Sequence, residues 1–146
     1  VTDKLMAWLA FCLLFALAAA VAVAAGGELY CGRMPSLAYP IEVVRVVDGD
    51  TIDVRVSVPG FGLHIDRRVR LAAVDTPEMR GPEALSGKRV TMLVKGWLSR
   101  ANNLRLRDAG KGKFNRLGVI ESDQGSLNHW LLAHGHADPY CGGVKP

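Results

Sequence analysis

Three short runs in the chain carry residue types able to act on a phosphate ester. Val47-Asp48-Gly49-Asp50-Thr51 holds two carboxylates either side of a glycine. Arg70-Leu71-Ala72-Ala73-Val74-Asp75-Thr76-Pro77-Glu78 holds an arginine followed by two more acids. Lys113-Phe114-Asn115-Arg116 brings a second arginine. Carboxylates bind hard divalent cations, which neutralise a phosphodiester and orient a water. Another carboxylate beside that water can accept its proton. Guanidinium groups grip phosphoryl oxygens two at a time and stabilise the charge that gathers on them. Asp48, Asp50, Asp75 and Glu78 supply the acids, and Arg70 and Arg116 the forks. Each run alone has a plain reading, since Asp-Gly-Asp is a common turn and Asp-Thr-Pro-Glu a common strand exit or helix cap. The chemical reading requires all three to meet in space.

The elements that would position them are legible from periodicity. Ile41–Val47 is rich in β-branched residues and predicts a strand. Thr51–Val58 alternates, with Ile52, Val54 and Val56 against Asp53, Arg55 and Ser57, and predicts a second strand paired to the first through the Asp48-Gly49-Asp50 turn. Pro59-Gly60-Phe61-Gly62 is the next turn, and Leu63–Val74 a third strand that ends at Thr76-Pro77. Strict alternation along that strand puts Arg70 and Asp75 on opposite faces, so their convergence demands a bend or bulge near Ala72–Val74. Gly81-Pro82-Glu83 reads as a helix entry, with Val90, Leu93 or Val94, Trp97 and Ala101 as its buried stripe and Asn102-Asn103 as its exit. Leu104–Arg107 and Leu117–Glu121 are a fourth and fifth strand, separated by a loop rich in glycine and lysine. Ser126 caps a second helix that places Leu127, Trp130 and Leu131 inward and stops at Gly135. Three strands, a helix, two strands and a helix predict a mainly β, α+β domain: a five-stranded OB-fold Greek-key barrel with two packed helices.

The remainder of the chain bounds where this domain works. Leu5–Ala25 is uncharged and, as a helix, would span about 30 Å, close to a bilayer's hydrocarbon thickness. It reads either as an uncleaved anchor or as a signal peptide with Ala22-Val23-Ala24 as a cleavage pattern, the latter favoured. Residues 1–25 are therefore a signal peptide or hydrophobic anchor helix, 26–40 a linker, 41–140 the globular domain and 141–146 a tail. Both readings of the leader place the domain outside the cytoplasm. Without Cys12, which lies in the apolar block, Cys31 and Cys141 remain at the two ends of the chain; they are expected to form one disulfide, with two unpaired thiols as the alternative. No C-x-x-C pair is present, which argues against a zinc ribbon. The net charge of +4 is a mild signal for a polyanionic partner. Its distribution is more pointed, with Arg67, Arg68 and Arg70 in one cluster and Arg105, Arg107, Lys111, Lys113 and Arg116 in another, although a solvated basic face accounts equally well for both.

The segments Val46-Val47-Asp48-Gly49-Asp50-Thr51, Arg70 through Glu78 and Lys113-Phe114-Asn115-Arg116, in this order, resemble the three signature segments of the staphylococcal nuclease (thermonuclease) family, over about Ile41 to Tyr140. The resemblance implies an OB-type barrel that hydrolyses DNA and RNA to leave 3′-phosphate ends. It implies Ca²⁺ held by the carboxylates of Asp50 and Asp75 and the main-chain carbonyl of Thr76, with Asp48 in an outer shell. It implies Glu78 acting on the attacking water and Arg70 and Arg116 on the phosphate, with Lys113, Phe114 and Tyr140 near the substrate and the chain acting as a monomer. The chain departs from the family pattern in four places. Phe114 stands where tyrosine is usual, and Asn115 stands for a glycine, with asparagine's tolerance of left-handed backbone keeping the turn. The loop after Glu78 is shorter. No third long helix follows Tyr140-Cys141, a loss that a Cys31–Cys141 bridge is expected to offset in part.

Two rival functions stay open at this level: a non-catalytic nucleic-acid- or protein-binding module on the same barrel, and a membrane-tethered interaction domain with an incidental acidic turn. His134 and His136 straddle a helix end and are expected to be solvated or capping rather than metal ligands. Tyr140 is expected to pack beside the second helix rather than stack on a base, and Trp97 and Trp130 to fill core positions.

Overall fold

The computed structural model describes Cys31 and residues 37–142. The leader, most of the linker and the last four residues lie outside them, and with these the reading of Leu5–Ala25. Among the described residues no helix is long and apolar enough to cross a membrane.

Strand β1 (Ala38–Val46) pairs antiparallel with β2 (Thr51–Val58), which pairs antiparallel with β3 (Leu63–Leu71). The inward set of β2 is the one its alternation predicts: Ile52 and Val54 are fully buried and Val56 nearly so. On the other face, Asp53 takes hydrogen bonds from its two cross-strand partners, Arg45 (2.9 Å) and Arg68 (2.7 Å), while Arg55 bonds Asp66 across the hairpin at 2.8 Å. Much of the basic character of β3 is therefore neutralised at home, and Asp53 is held down to about 2, chiefly by the bond from Arg68.

β3 stops at Leu71 rather than Val74. Ala73 turns the chain with a φ of 64°, and a two-residue strand, β4 (Val74–Asp75), follows. A 3-10 turn at Gly81–Glu83 leads into helix α1 (Ala84–Arg100), which buries Val90, Val94, Trp97 and Leu98 against the sheet. Leu98 takes the place expected for Ala101, which instead lies at the cap, and the exit runs through Asn103 at φ 54°. β5 (Arg105–Lys111) runs four residues past its expected end, and β6 (Arg116–Ser122) returns antiparallel to it. β5 also pairs with Ala38–Pro40, so those three residues belong to the sheet and not to a linker. β7 (Gly125–Ser126) leads to helix α2 (Leu127–Ala133), whose N-terminus is capped by the Ser126 hydroxyl accepting from the His129 N–H. Gly135, at φ 66°, ends it.

The strand order is β3-β2-β1-β5-β6, and β6 closes on β3 in parallel, Val69 opposite Arg116 and Leu71 opposite Gly118. The result is a closed five-stranded barrel with two helices, an α+β architecture consistent with an OB-like fold. The closure is tight: a Cβ on Gly118 would fall on the Leu106 side chain and 3.0 Å from Val69 Cγ1. A last short strand, β8 (Asp138–Pro139), pairs with β4 and brings the C-terminal end beside the Ala73 bend. Cys31 and Cys141 are joined there by a disulfide with a Cα separation of 5.3 Å.

Candidate functional site

The turn between β1 and β2 is built for close approach. The N–H groups of Val47 and Asp48 both donate to the Thr51 carbonyl, and the Asp50 N–H donates to Asp48 Oδ1 at 3.2 Å, an Asx-type turn. Gly49 is buried; any Cβ there would lie 2.7 Å from Thr76 Oγ1 and 2.9 Å from Val90 Cγ1. The Asp50 carbonyl accepts from the Leu71 N–H at 2.7 Å, so the acidic turn is pinned to the end of β3.

From there the bend at Ala73 folds the chain back. Without it Asp75 would point away from Arg70; with it, Arg70 Nη2 lies 2.7 Å from Asp75 Oδ1 and 3.1 Å from Asp50 Oδ2. One guanidinium nitrogen thus bridges two carboxylates that come from different elements. Asp50 is 3% exposed, takes the Thr76 N–H at 3.1 Å and the Thr51 hydroxyl at 3.1 Å, and lies near Asp48. Burial is the largest influence on it and pushes its carboxyl up to about 6, against the lowering pull of Arg70. A carboxylate in such a place favours any positive charge that can reach it.

Asp50 and Arg70 border a small open recess lined also by Asp48, Thr76, Pro77, Glu78 and Met79; Asp75 is not among its lining residues. Glu78 is exposed on its rim, with its main-chain N–H bonded to Glu83 Oε2 at 3.1 Å. Its position is set from behind by α1. Gly87 packs on the main chain of Pro77 and Glu78, where a Cβ would fall on the Glu78 carbonyl oxygen and 2.7 Å from that of Pro77.

The third run takes a different place. Arg116 is not among the residues lining the recess; it lies on β6 beside Val69 and is paired with Asp108 of β5. Lys113 and Phe114 sit on the β5–β6 hairpin, with Phe114 83% exposed and Lys113 Nζ 5.0 Å from its ring centroid. Asn115 closes that hairpin through its carbonyl, which accepts from the Gly112 N–H at 2.8 Å; it is not in the left-handed region, which Gly110 occupies instead at φ 107°. Tyr140 is half-buried and its N–H donates to the Ala73 carbonyl, so its backbone braces the bend. His134 and His136 stack on one another and lie tilted against Trp130, and His134 Nδ1 lies 2.9 Å from the Trp130 carbonyl. Among the described residues no three His, Cys, Asp or Glu side chains converge as a ligand group.

One residue that organises the site has no counterpart in the sequence reading. Asn128, 2% exposed in α2, accepts the Ile120 N–H with its Oδ1 and donates its amide to the carbonyls of Ala72 (2.8 Å) and Gly118 (3.2 Å). It ties the bend between Arg70 and Asp75 to the closing strand and to the second helix. Its signal was its place on the same side of α2 as Leu127 and Leu131, where a buried polar group must find partners.

No family model and no curated protein matches this chain.

Proposed function

We propose that this chain is an exported, cation-dependent phosphodiesterase that cleaves DNA or RNA. The observation that carries the proposal is the Asp50–Arg70–Asp75 cluster: two carboxylates from separate elements meeting on one guanidinium, with Asp50 and Arg70 lining a recess that also holds Asp48 and Glu78. Burying a carboxylate next to another acid costs free energy through desolvation and repulsion, a cost that functional sites characteristically carry.

The donors suit a hard cation such as Ca²⁺, being oxygens only and partly desolvated. Asp50 and Asp75 would hold it, with the Thr76 carbonyl. Bound there, Ca²⁺ would lend positive charge to a phosphoryl oxygen and to a water. The chain's own groups do the rest. Glu78, on the rim, accepts the proton of the attacking water. Arg70, at the boundary between buried acids and solvent, contacts phosphoryl oxygens and stabilises their added charge. Water attack on phosphorus breaks the P–O5′ bond, leaving a 3′-phosphate and a 5′-hydroxyl. Arg116 supplies a second guanidinium, exchanging Asp108 for the phosphate as substrate binds. The disulfide supports an oxidising compartment, outside the cytoplasm.

The Arg116–Asp108 pair favours a second reading: a barrel that binds nucleic acid or protein without cutting. Plasmid digestion with Ca²⁺ against EDTA separates them. Cleavage should require Ca²⁺ and should fall by about two to four orders of magnitude in Arg70→Ala and in Glu78→Gln, both still folded by circular dichroism. Full activity in folded Arg70→Ala, or none in the wild type with Ca²⁺, sinks the catalytic reading.

A further inference from the structure

Helix α1 presents an outer face that combines exposed aliphatic side chains with cations. Its inner side is filled by Val90, Val94, Trp97 and Leu98. On the opposite side, Leu85 and Met92, seven residues apart and so stacked on one face, are 84% and 72% exposed. At 100° per residue Lys88 and Lys95 flank them on one side, and Arg89 and Arg100 on the other. All four cations are exposed or nearly so, the helix contains no acid, and among the described residues none of the four forms an ion pair. This contrasts with β2 and β3, where Arg55 and Arg68 are matched by Asp66 and Asp53.

We propose that this face of α1 docks on an anionic lipid bilayer, with Leu85 and Met92 entering the boundary of the acyl region and the four cations lying among the head groups. Exposed aliphatic side chains bracketed by cations are what an interfacial helix requires. A polynucleotide would use the cations but gain nothing from Leu85 and Met92, which offer bases no ring to stack on. The sequence beside the domain fits the same surface. The uncharged run Leu5–Ala25 ends six residues before Cys31, and the disulfide fastens Cys31 to the folded domain. Six residues reach at most about 20 Å. On the anchor reading of that run, the domain is confined to the bilayer surface and a weak face contact becomes intramolecular; if the run is cleaved, the face must bind unaided. The proposal concerns where the domain lies and is independent of whether it cleaves nucleic acid.

The test uses the full chain in EDTA, reconstituted into vesicles of phosphatidylcholine alone or of an equimolar phosphatidylcholine and phosphatidylglycerol mixture. Surface lysines are acetylated briefly with a water-soluble reagent and read by mass spectrometry, with Lys111 on β5 as the internal reference. Lys88 and Lys95 should lose about fivefold or more of their reactivity on the anionic vesicles, Lys111 little. The double variant Leu85→Ser, Met92→Ser, both at exposed positions, should regain most of that reactivity. Unchanged labelling of Lys88 and Lys95 between the two lipids overturns the proposal. So does undiminished protection in the double variant, which would reduce the contact to charge alone. Equal protection by a single-stranded oligonucleotide without vesicles would make the face a nucleic-acid track instead.

Discussion

Replacing Asp50 by asparagine should make the metal-free protein more stable near neutral pH and leave it little changed in mild acid. The reason is the burial of an ionised carboxylate beside Asp48. The Asp50 carboxyl is pushed from 3.8 to about 6 in the folded state. A raised carboxyl means that the folded state binds more protons than the unfolded chain between these two values. Stability from this group therefore falls as pH rises through that window, and the penalty is complete above it. At about 1.4 kcal/mol per pH unit, the full penalty is about 3 kcal/mol. Asparagine is uncharged, keeps one acceptor for the Thr76 N–H or the Thr51 hydroxyl, and loses the Arg70 contact. Subtracting about 1 kcal/mol for the lost bond leaves a gain of about 1–2 kcal/mol at pH 7. Asp53, held at about 2 chiefly by Arg68, contributes stability that is lost only as pH falls below the ordinary carboxylate range, outside the window. Urea denaturation in EDTA, followed by tryptophan fluorescence between about pH 4 and pH 8, measures both curves. Added Ca²⁺ should stabilise the wild type at pH 7 and the variant hardly at all. Two curves that run parallel across the whole range would show that Asp50 is not a strained, ionised acid, and the electrostatic account of the site would be wrong.

Asn128→Leu should destabilise the protein by about 3 kcal/mol in urea melts, since it strands the Ile120 N–H and the Ala72 carbonyl in the interior. Gly87→Ala should lose about 1–3 kcal/mol and displace Glu78, lowering cleavage, because the new Cβ meets main-chain atoms that cannot turn aside. Gly96→Ala, in the same helix but meeting only the far end of Arg100, should instead gain up to about 1 kcal/mol with activity unchanged. Cys141→Ser should lower stability by about 5 kcal/mol, as expected for opening a loop of 110 residues; reductant should do the same to the wild type and nothing to the variant.

How far these features could be read in advance follows from the range over which each is determined. The alternation of Thr51–Val58 is a one-face burial pattern, so its strand, its inward set and its pairing through the acidic turn were legible residue by residue. The bend at Ala73 was legible only as a requirement, from the parity of Arg70 and Asp75; alanine itself does not announce a positive φ, which the packing of Asn128 and Tyr140 imposes from elsewhere in the chain. The same holds for β4 and β8, two-residue strands too short to carry a period. Arg116 was read as a partner of Arg70 because of its type. Its actual neighbour, Asp108, meets it only because β5 continues to Lys111 and folds the hairpin over it, where the glycines and lysines had suggested a loop. Asn128 is legible only from its place between Leu127 and Leu131, since a polar residue next to a helix cap normally faces water. The disulfide, by contrast, needed only a count of cysteines outside the apolar block.

The pairing of β4 with β8 has a consequence for how the molecule comes into being. The acid-bearing bend is held by residues that come after α2, through Val74 opposite Pro139 and the Tyr140 N–H on Ala73. A chain still emerging from the ribosome lacks that clasp until those residues have followed, even with all five barrel strands complete. The recess therefore acquires its shape only after α2 and β8 have been made, later than the barrel that carries it.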